Sequence, residues 1–160
     1  MNKQKNLRRP ASNSSGFTVV ELLVIVLIIG ILSSVLVLTY SGIQQKQHNN
    51  TRINDIKLIQ TNLEAYFAQN GIYPTLTDIN SNSWVQTNMK TLDLGSIRDP
   101  QEKSSIPAFS SVPIKTQYAY QPTASDGTSP CDNKTVACAK YVLTATLEGS
   151  TQTFVVKSLN

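Results

Sequence analysis

The chain has 160 residues, 40% of them hydrophobic, which is enough for one small folded domain beside a membrane segment. Its formal net charge of +4 is accounted for by four basic residues near the amino terminus: Lys3, Lys5, Arg8 and Arg9. The remainder has ten basic and ten acidic residues, so the composition argues against a basic nucleic-acid-binding domain.

The first predicted element is an apolar segment over residues 17–40, directly after the basic residues 1–16. Residues 22–38 are all apolar or small, and with their neighbours they are long enough to cross a bilayer. The basic flank predicts that the amino terminus stays in the cytoplasm and the rest lies outside. Two alternatives stay open: a secretory signal cut near Ser33-Ser34, and a simple membrane anchor.

Glu21 is the only charged residue between Phe17 and Tyr40. An unpartnered carboxylate in hydrocarbon costs roughly 2.5 to 3.5 kcal/mol on insertion scales, so a compensating group is expected. Cleavage after Gly16 would free a cationic amine on Phe17, and such an amine on a neighbouring copy would neutralise Glu21. The alternative is that Glu21 lies at the edge of the membrane, where lipid headgroups solvate it.

Residues 16–40 resemble the processing site and first helix of type IV pilins and the related pseudopilins. The resemblance implies that a prepilin peptidase cuts after Gly16, removes the basic leader and methylates the new amino terminus on Phe17. It further implies an assembly role for the acidic Glu21. Gly30 matches a glycine that is common in the same helix of the family.

By this resemblance the chain is a structural subunit of a type IV pilus. The precursor would lie in the cytoplasmic membrane with its carboxy-terminal domain outside, and an assembly platform would polymerise it into an extracellular helical homopolymer for adhesion, motility or DNA uptake. One alternative is a pseudopilin of a type II secretion or competence system. Another is a membrane-anchored binding protein that does not polymerise and keeps its leader.

The helix is predicted to continue as an amphipathic segment over residues 41–71. Apolar residues recur every three to four positions from Ile53 to Phe67, which marks one helical face, and Asn70-Gly71 is a helix stop signal. His48 falls in the polar run before this face. A solvated helix surface is favoured there over a general base, because the sequence places no nucleophile near it.

A loop connection is predicted over residues 72–117, with a short helix near residues 83–89. An antiparallel sheet follows over residues 118–160, with a first strand near Tyr118 and a final hairpin that turns at Gly149-Ser150. A sheet with one face buried against the amphipathic helix accounts for both patterns. The predicted fold class is therefore α+β.

Cys131 and Cys138 are the only cysteines, and both fall on the side predicted to lie outside the cytoplasm, so a disulfide is expected. A metal pair would need further ligands, and the only histidine is remote in sequence. The cysteine loop favours a pilin over a pseudopilin. The nearby oxygen-bearing side chains suggest calcium as an alternative, but turn propensity explains the same residues: Asp126, Asp132 and Asn133.

Motifs for catalysis or cofactor binding are not found: there is no glycine-rich phosphate loop, no zinc-binding HExxH and no paired carboxylates at helical spacing. We therefore expect no enzyme activity, no cofactor and no bound metal. Trp84, Tyr118 and Tyr120 could stack on sugars or bases in a binding module. A place in the core is favoured, because the domain has few other large apolar residues.

Overall fold

The computed structural model describes residues 16–92, 95, 98–104, 108–149 and 152–160; the side chains of residues 35–39 are not described. Apart from Gly16, the predicted leader lies outside the described residues, and so does the predicted turn residue Ser150. The chain divides into two compact units, Met1–Ser41 and Gly42–Asn160.

A single helix, α1, covers Val19–Asn70 and runs through the end of the first unit into the second. It ends where the sequence predicted, because Gly71 adopts a positive φ of 71° that residues other than glycine rarely tolerate. The Gly71 N–H donates to the Phe67 carbonyl at 2.7 Å, closing the last turn.

Three antiparallel strands form the sheet of the second unit, in the order β1 (Ala119–Thr123), β2 (Lys140–Thr146) and β3 (Thr153–Lys157). Both pairings are antiparallel, so β2 is the central strand. Gly149, with φ 73°, lies in the connection from β2 to β3, where the hairpin turn was predicted.

The core of the second unit lies between the sheet and α1. Tyr141, Leu143 and Ala145 alternate along β2 and are buried, as the sequence pattern predicted. They share one cluster with the buried helix face and partly buried residues of β3: Ile56, Ile59, Leu63, Phe154 and Val156. A helix packed on a small antiparallel sheet confirms the predicted α+β fold class.

Two short helices occupy the connection, α2 (Leu76–Ile79) and α3 (Asn82–Asn88). α3 confirms the short helix predicted near residues 83–89. α2 was not predicted, although Thr75 and Asp78 carry the signature of a capping box, in which each side chain hydrogen-bonds the backbone N–H of the other. A four-residue helix is too short to show hydrophobic periodicity, so only its cap could have revealed it.

The aromatic residues weighed as a binding surface belong to the core instead. Tyr118 and Tyr120 are fully buried, and Trp84 packs against Tyr66 with ring centroids 5.2 Å apart. The Tyr120 hydroxyl donates to the Pro74 carbonyl at 2.8 Å, so the polar end of this buried ring is satisfied.

Candidate functional site

The start of α1 is built by a reciprocal hydrogen-bond pair between Thr18 and Glu21. The Glu21 carboxylate accepts from the Thr18 backbone N–H and from its hydroxyl, both at 2.9 Å. The Glu21 N–H in turn donates to the Thr18 hydroxyl oxygen at 3.2 Å. This is a capping box at the helix N-terminus, and it satisfies backbone donors that no helical carbonyl reaches.

The capping box gives Glu21 a second role that the sequence reasoning missed. The Thr18-x-x-Glu21 spacing is its signature, and it stands in the sequence directly before the apolar run. The same carboxylate lies four residues after Phe17, at the position predicted to receive a neighbour's amine. Glu21 is exposed in the isolated chain, so its carboxylate is accessible to such a group.

An apolar surface surrounds α1 from its first turn. The large hydrophobic residues between Phe17 and Leu32 are all at least 42% exposed, with Val19 at 80%. A helix that is apolar on every side is stable only inside a protein core or a membrane. This segment, residues 17–32, is called the apolar collar below, and it lies within the first unit.

Gly16 and Gly30 have no packing reason to be glycine within one chain. A Cβ atom built at either position would meet nothing within 4 Å, and neither residue has a positive φ. Gly30 also costs about 1 kcal/mol relative to alanine inside a helix. A requirement for glycine at these two positions therefore has to come from outside the single subunit.

Across the described part of the chain, no helix combines the length and the mean hydropathy that a bilayer span requires. The side chains of residues 35–39, in the second half of the predicted membrane segment, are not described.

A buried ionic cluster in the second unit was not predicted. Arg52 is fully buried on α1 and forms a two-pronged ion pair with Asp99, at 2.6 Å from Nε and 2.9 Å from Nη2. Its Nη1 donates to Glu148 at 2.7 Å. Burial acts to lower the pKa of Arg52, but the hydrogen bonds to Asp99 and Glu148 outweigh burial and raise this pKa above its usual value.

The same cluster corrects the solvated surface predicted around His48. His48 Nδ1 lies 2.9 Å from the Glu148 carboxylate, and the side chain is only 32% exposed. Asn49 adds two contacts, because its amide donates to the Glu148 carbonyl and accepts from the Glu148 N–H. The polar run around residue 50 thus binds the turn after β2. Periodicity analysis missed it because it scores only apolar residues.

Cys131 and Cys138 are joined by the predicted disulfide, with Cα atoms 5.1 Å apart. The Cys138 N–H donates to the Asn133 side-chain oxygen at 2.7 Å, and the Asn133 amide donates to the Tyr73 carbonyl at 2.7 Å. Asn133 has a positive φ of 56°, which asparagine tolerates better than most residues. The loop is therefore fixed both covalently and through hydrogen bonds.

The carboxylates weighed as calcium ligands accept hydrogen bonds from their own loops. Asp132 accepts from the N–H groups of Val136, Lys134 and Thr135, and these bonds lower its pKa well below the usual range. Asp126 accepts from the Ser129 hydroxyl and from nearby backbone N–H groups, which lowers its pKa to about 2. Turn formation, the favoured explanation of these residues, accounts for both. Within the described residues, no group of three potential metal-binding side chains is found.

The carboxy terminus is held against α1 by Glu64. This carboxylate accepts from the Tyr141 hydroxyl at 2.7 Å, from the Tyr73 hydroxyl at 2.8 Å and from the Leu159 N–H at 3.3 Å. Burial and the adjacent Glu64 carboxylate raise the pKa of both tyrosines, so the hydroxyls stay protonated and donate. The last residues of the chain are thus fastened to the helix.

Known proteins similar to this chain belong to one secretion system. It is 36% identical over 61 residues to the type II secretion system core protein G of Aeromonas hydrophila, and equally to that of Vibrio cholerae. These alignments cover 38% of this chain and 43% and 42% of the relatives. The Escherichia coli core protein G is 33% identical over 67 residues, which is 42% of this chain and 46% of that protein.

The chain therefore spans less than half the length of the relatives it matches. No protein-family model matches the chain, and no solved structure matches it. The matches to core protein G nonetheless confirm the resemblance predicted from residues 16–40: this chain is a relative of the type IV pilin and pseudopilin family.

Proposed function

We propose that the chain is a structural subunit of a pseudopilus of the type II secretion kind, a helical polymer of identical subunits. The observation that supports this most strongly is the apolar collar, an exposed hydrophobic surface on all sides of α1 that one subunit does not cover. Lipid covers this surface in the precursor, and the collars of other copies cover it in the polymer. The role is structural rather than catalytic.

Processing follows from the same segment. A prepilin peptidase cuts after Gly16, and the amino group released on Phe17 is methylated. Phe17 is 73% exposed and Gly16 is also exposed, so a peptidase has access to the bond between them. Glu21 then receives the amine of a neighbouring subunit as that subunit enters the polymer.

The choice of a pseudopilus over a surface pilus rests on the comparisons. The relatives are core protein G of type II secretion systems, whereas the cysteine loop had favoured a pilin. The second candidate, a type IV pilus subunit, has support at the level of the family. Its uses, adhesion, motility and DNA uptake, have no separate support in the residues described.

Localisation and partners follow from this proposal. The precursor lies in the cytoplasmic membrane with its amino terminus inside, and the partners are further copies of the chain, the prepilin peptidase and an assembly platform. The polymer of the first candidate stays close to the cell envelope, whereas a pilus would extend from the cell surface. A protein that keeps its leader and stays monomeric would instead be the non-polymerising anchor.

Deletion of the gene in its native host tests the two candidates against each other. A pseudopilin predicts that secreted proteins disappear from the medium while surface filaments persist. A pilin predicts the reverse. Mass spectrometry of the subunit in the parent strain adds the processing test, since both candidates require a mature chain that begins at Phe17, and a chain that begins at Met1 would contradict both.

A further inference from the structure

β3 is an edge strand whose outer side is open. The sheet order is β1-β2-β3, so within the described residues no strand pairs with the far side of β3. Exposure alternates along the strand: Thr153, Val155 and Lys157 are exposed, whereas Phe154 and Val156 are partly buried against the core. Open edges of this kind accept further strands through their unpaired backbone groups.

The hydrogen-bond pattern shows which backbone groups point outward. Leu147 N–H donates to the Gln152 carbonyl, and Ser158 N–H donates to the Tyr141 carbonyl, both at 3.1 Å. Pairs along an antiparallel ladder alternate between bonded and non-bonded, so the even-numbered residues of β3 bond to β2. The N–H and C=O groups of Thr153, Val155 and Lys157 therefore face the open edge.

A contact from α1 supports this assignment. Gln60 Nε2 donates to the Lys157 carbonyl at 2.9 Å, which requires that carbonyl to point away from β2. A carbonyl oxygen has two lone pairs, so Lys157 can accept one further hydrogen bond there. Apart from this contact, no proline, bulge or inward-facing charge interrupts the edge from Thr153 to Lys157.

We propose that β3 pairs with β3 of a second copy of this chain, in an antiparallel two-fold contact centred on Val155. In this register Val155 faces Val155 of the partner, and each Thr153 faces the partner's Lys157. No like charges lie opposite each other, and the two β-branched valines, each 44% exposed in one chain, cover one another. A parallel in-register contact would instead set lysine against lysine.

Such a contact is closed. A two-fold interface uses the same patch on both subunits, so it joins two copies and cannot lengthen a helical polymer, which needs two different patches. The β3 contact is therefore distinct from association through the apolar collar. It does not depend on the function proposed above, because it uses residues of the second unit only.

Single cysteines on the full-length chain in detergent test the proposal. A bonded antiparallel pair has Cα atoms about 5.5 Å apart, which is within the range that a disulfide spans. Val155→Cys should therefore form disulfide-linked dimers under mild oxidation, several-fold more than Val112→Cys, a control at an exposed valine away from the sheet edge. Equal yields from the two variants would overturn the proposal.

The register has its own test, which also separates pairing from random collision in a micelle. Thr153→Cys alone and Lys157→Cys alone should give little dimer, because identical positions lie far apart in the antiparallel contact. An equal mixture of these two variants should give mixed dimers efficiently, since residue 153 faces residue 157. Dimers from either variant alone, at the level of the mixture, would contradict the antiparallel register. The side chains of all three test positions are exposed, so the substitutions leave the core intact.

Discussion

Thr18 and Glu21 hydrogen-bond each other reciprocally at the first turn of α1, so the one acidic residue of the apolar segment also caps the helix. Two functions thus depend on a single side chain: starting the helix needs its hydrogen-bond acceptors, whereas pairing with a neighbour's amine needs its charge. The two can be separated, because glutamine also serves as the third residue of a capping box.

We predict that Glu21→Gln keeps the helix start but strongly reduces polymer formation, because the amide retains an acceptor and loses the charge. Thr18→Ala is the matched control: it removes the capping hydroxyl, at a cost of about 1 kcal/mol in helix stability, and leaves the charge in place. Polymer yield by electron microscopy measures the effect. Equal loss in both variants would mean that capping, not charge, is the requirement.

A second prediction concerns the buried Arg52 cluster. Arg52→Met should lower the free energy of unfolding of the second unit by roughly 3 to 5 kcal/mol, because it leaves the buried Asp99 carboxylate without its partner. Urea unfolding followed by tyrosine fluorescence measures this. Lys57→Met, on an exposed position of the same helix, is the control and should change stability by less than about 0.5 kcal/mol. A small effect at Arg52 would show that the cluster is not needed for stability.

A third prediction concerns the disulfide. Its cysteines are separated by 7 positions, and chain entropy predicts that a loop this short stabilises the fold by about 2.5 kcal/mol. The double change Cys131→Ser with Cys138→Ser should therefore lower the melting temperature and increase protease sensitivity. Cleavage after Gly16 should be unaffected, because that bond lies in the other unit. Unreacted thiols detected by alkylation of the native protein would contradict the bond itself.

The pH dependence of the Asp126 turn is a fourth prediction. The pKa of Asp126 is lowered to about 2 by the Ser129 hydroxyl and by backbone N–H groups, against an ordinary value of 3.8. A carboxyl group whose folded pKa is depressed stabilises the fold above its unfolded pKa, and this contribution is lost as the pH falls through the folded pKa. Carbon NMR should thus place its titration midpoint near pH 2, and Ser129→Ala should raise that midpoint. A midpoint at the ordinary value in the unchanged protein would show that the turn does not form.

The sequence predicted most of the fold because its signals are local. The helix stop at Gly71, the alternation along β2 and the spacing of the buried face of α1 each depend on neighbouring residues. The ionic cluster was missed because Arg52, Asp99 and Glu148 are distant in sequence, so no local pattern relates them.

The candidate site divides in the same way. The capping role of Glu21 was available in the sequence, as a threonine three residues before a glutamate, but the cost of a charge in hydrocarbon drew attention to a partner in another subunit instead. The choice between pilin and pseudopilin could not be made from these residues. Both kinds of subunit share the apolar helix, and the difference came from the relatives.

The central claim, that the apolar collar joins copies of the mature chain, is tested most directly by helical reconstruction of the polymer from electron micrographs. The account predicts a fibre whose centre consists of residues 17–32 from many subunits, with each Phe17 amine next to the Glu21 carboxylate of a neighbour. A fibre with these residues exposed at its surface, or full-length processed chain that forms no fibre, would contradict it.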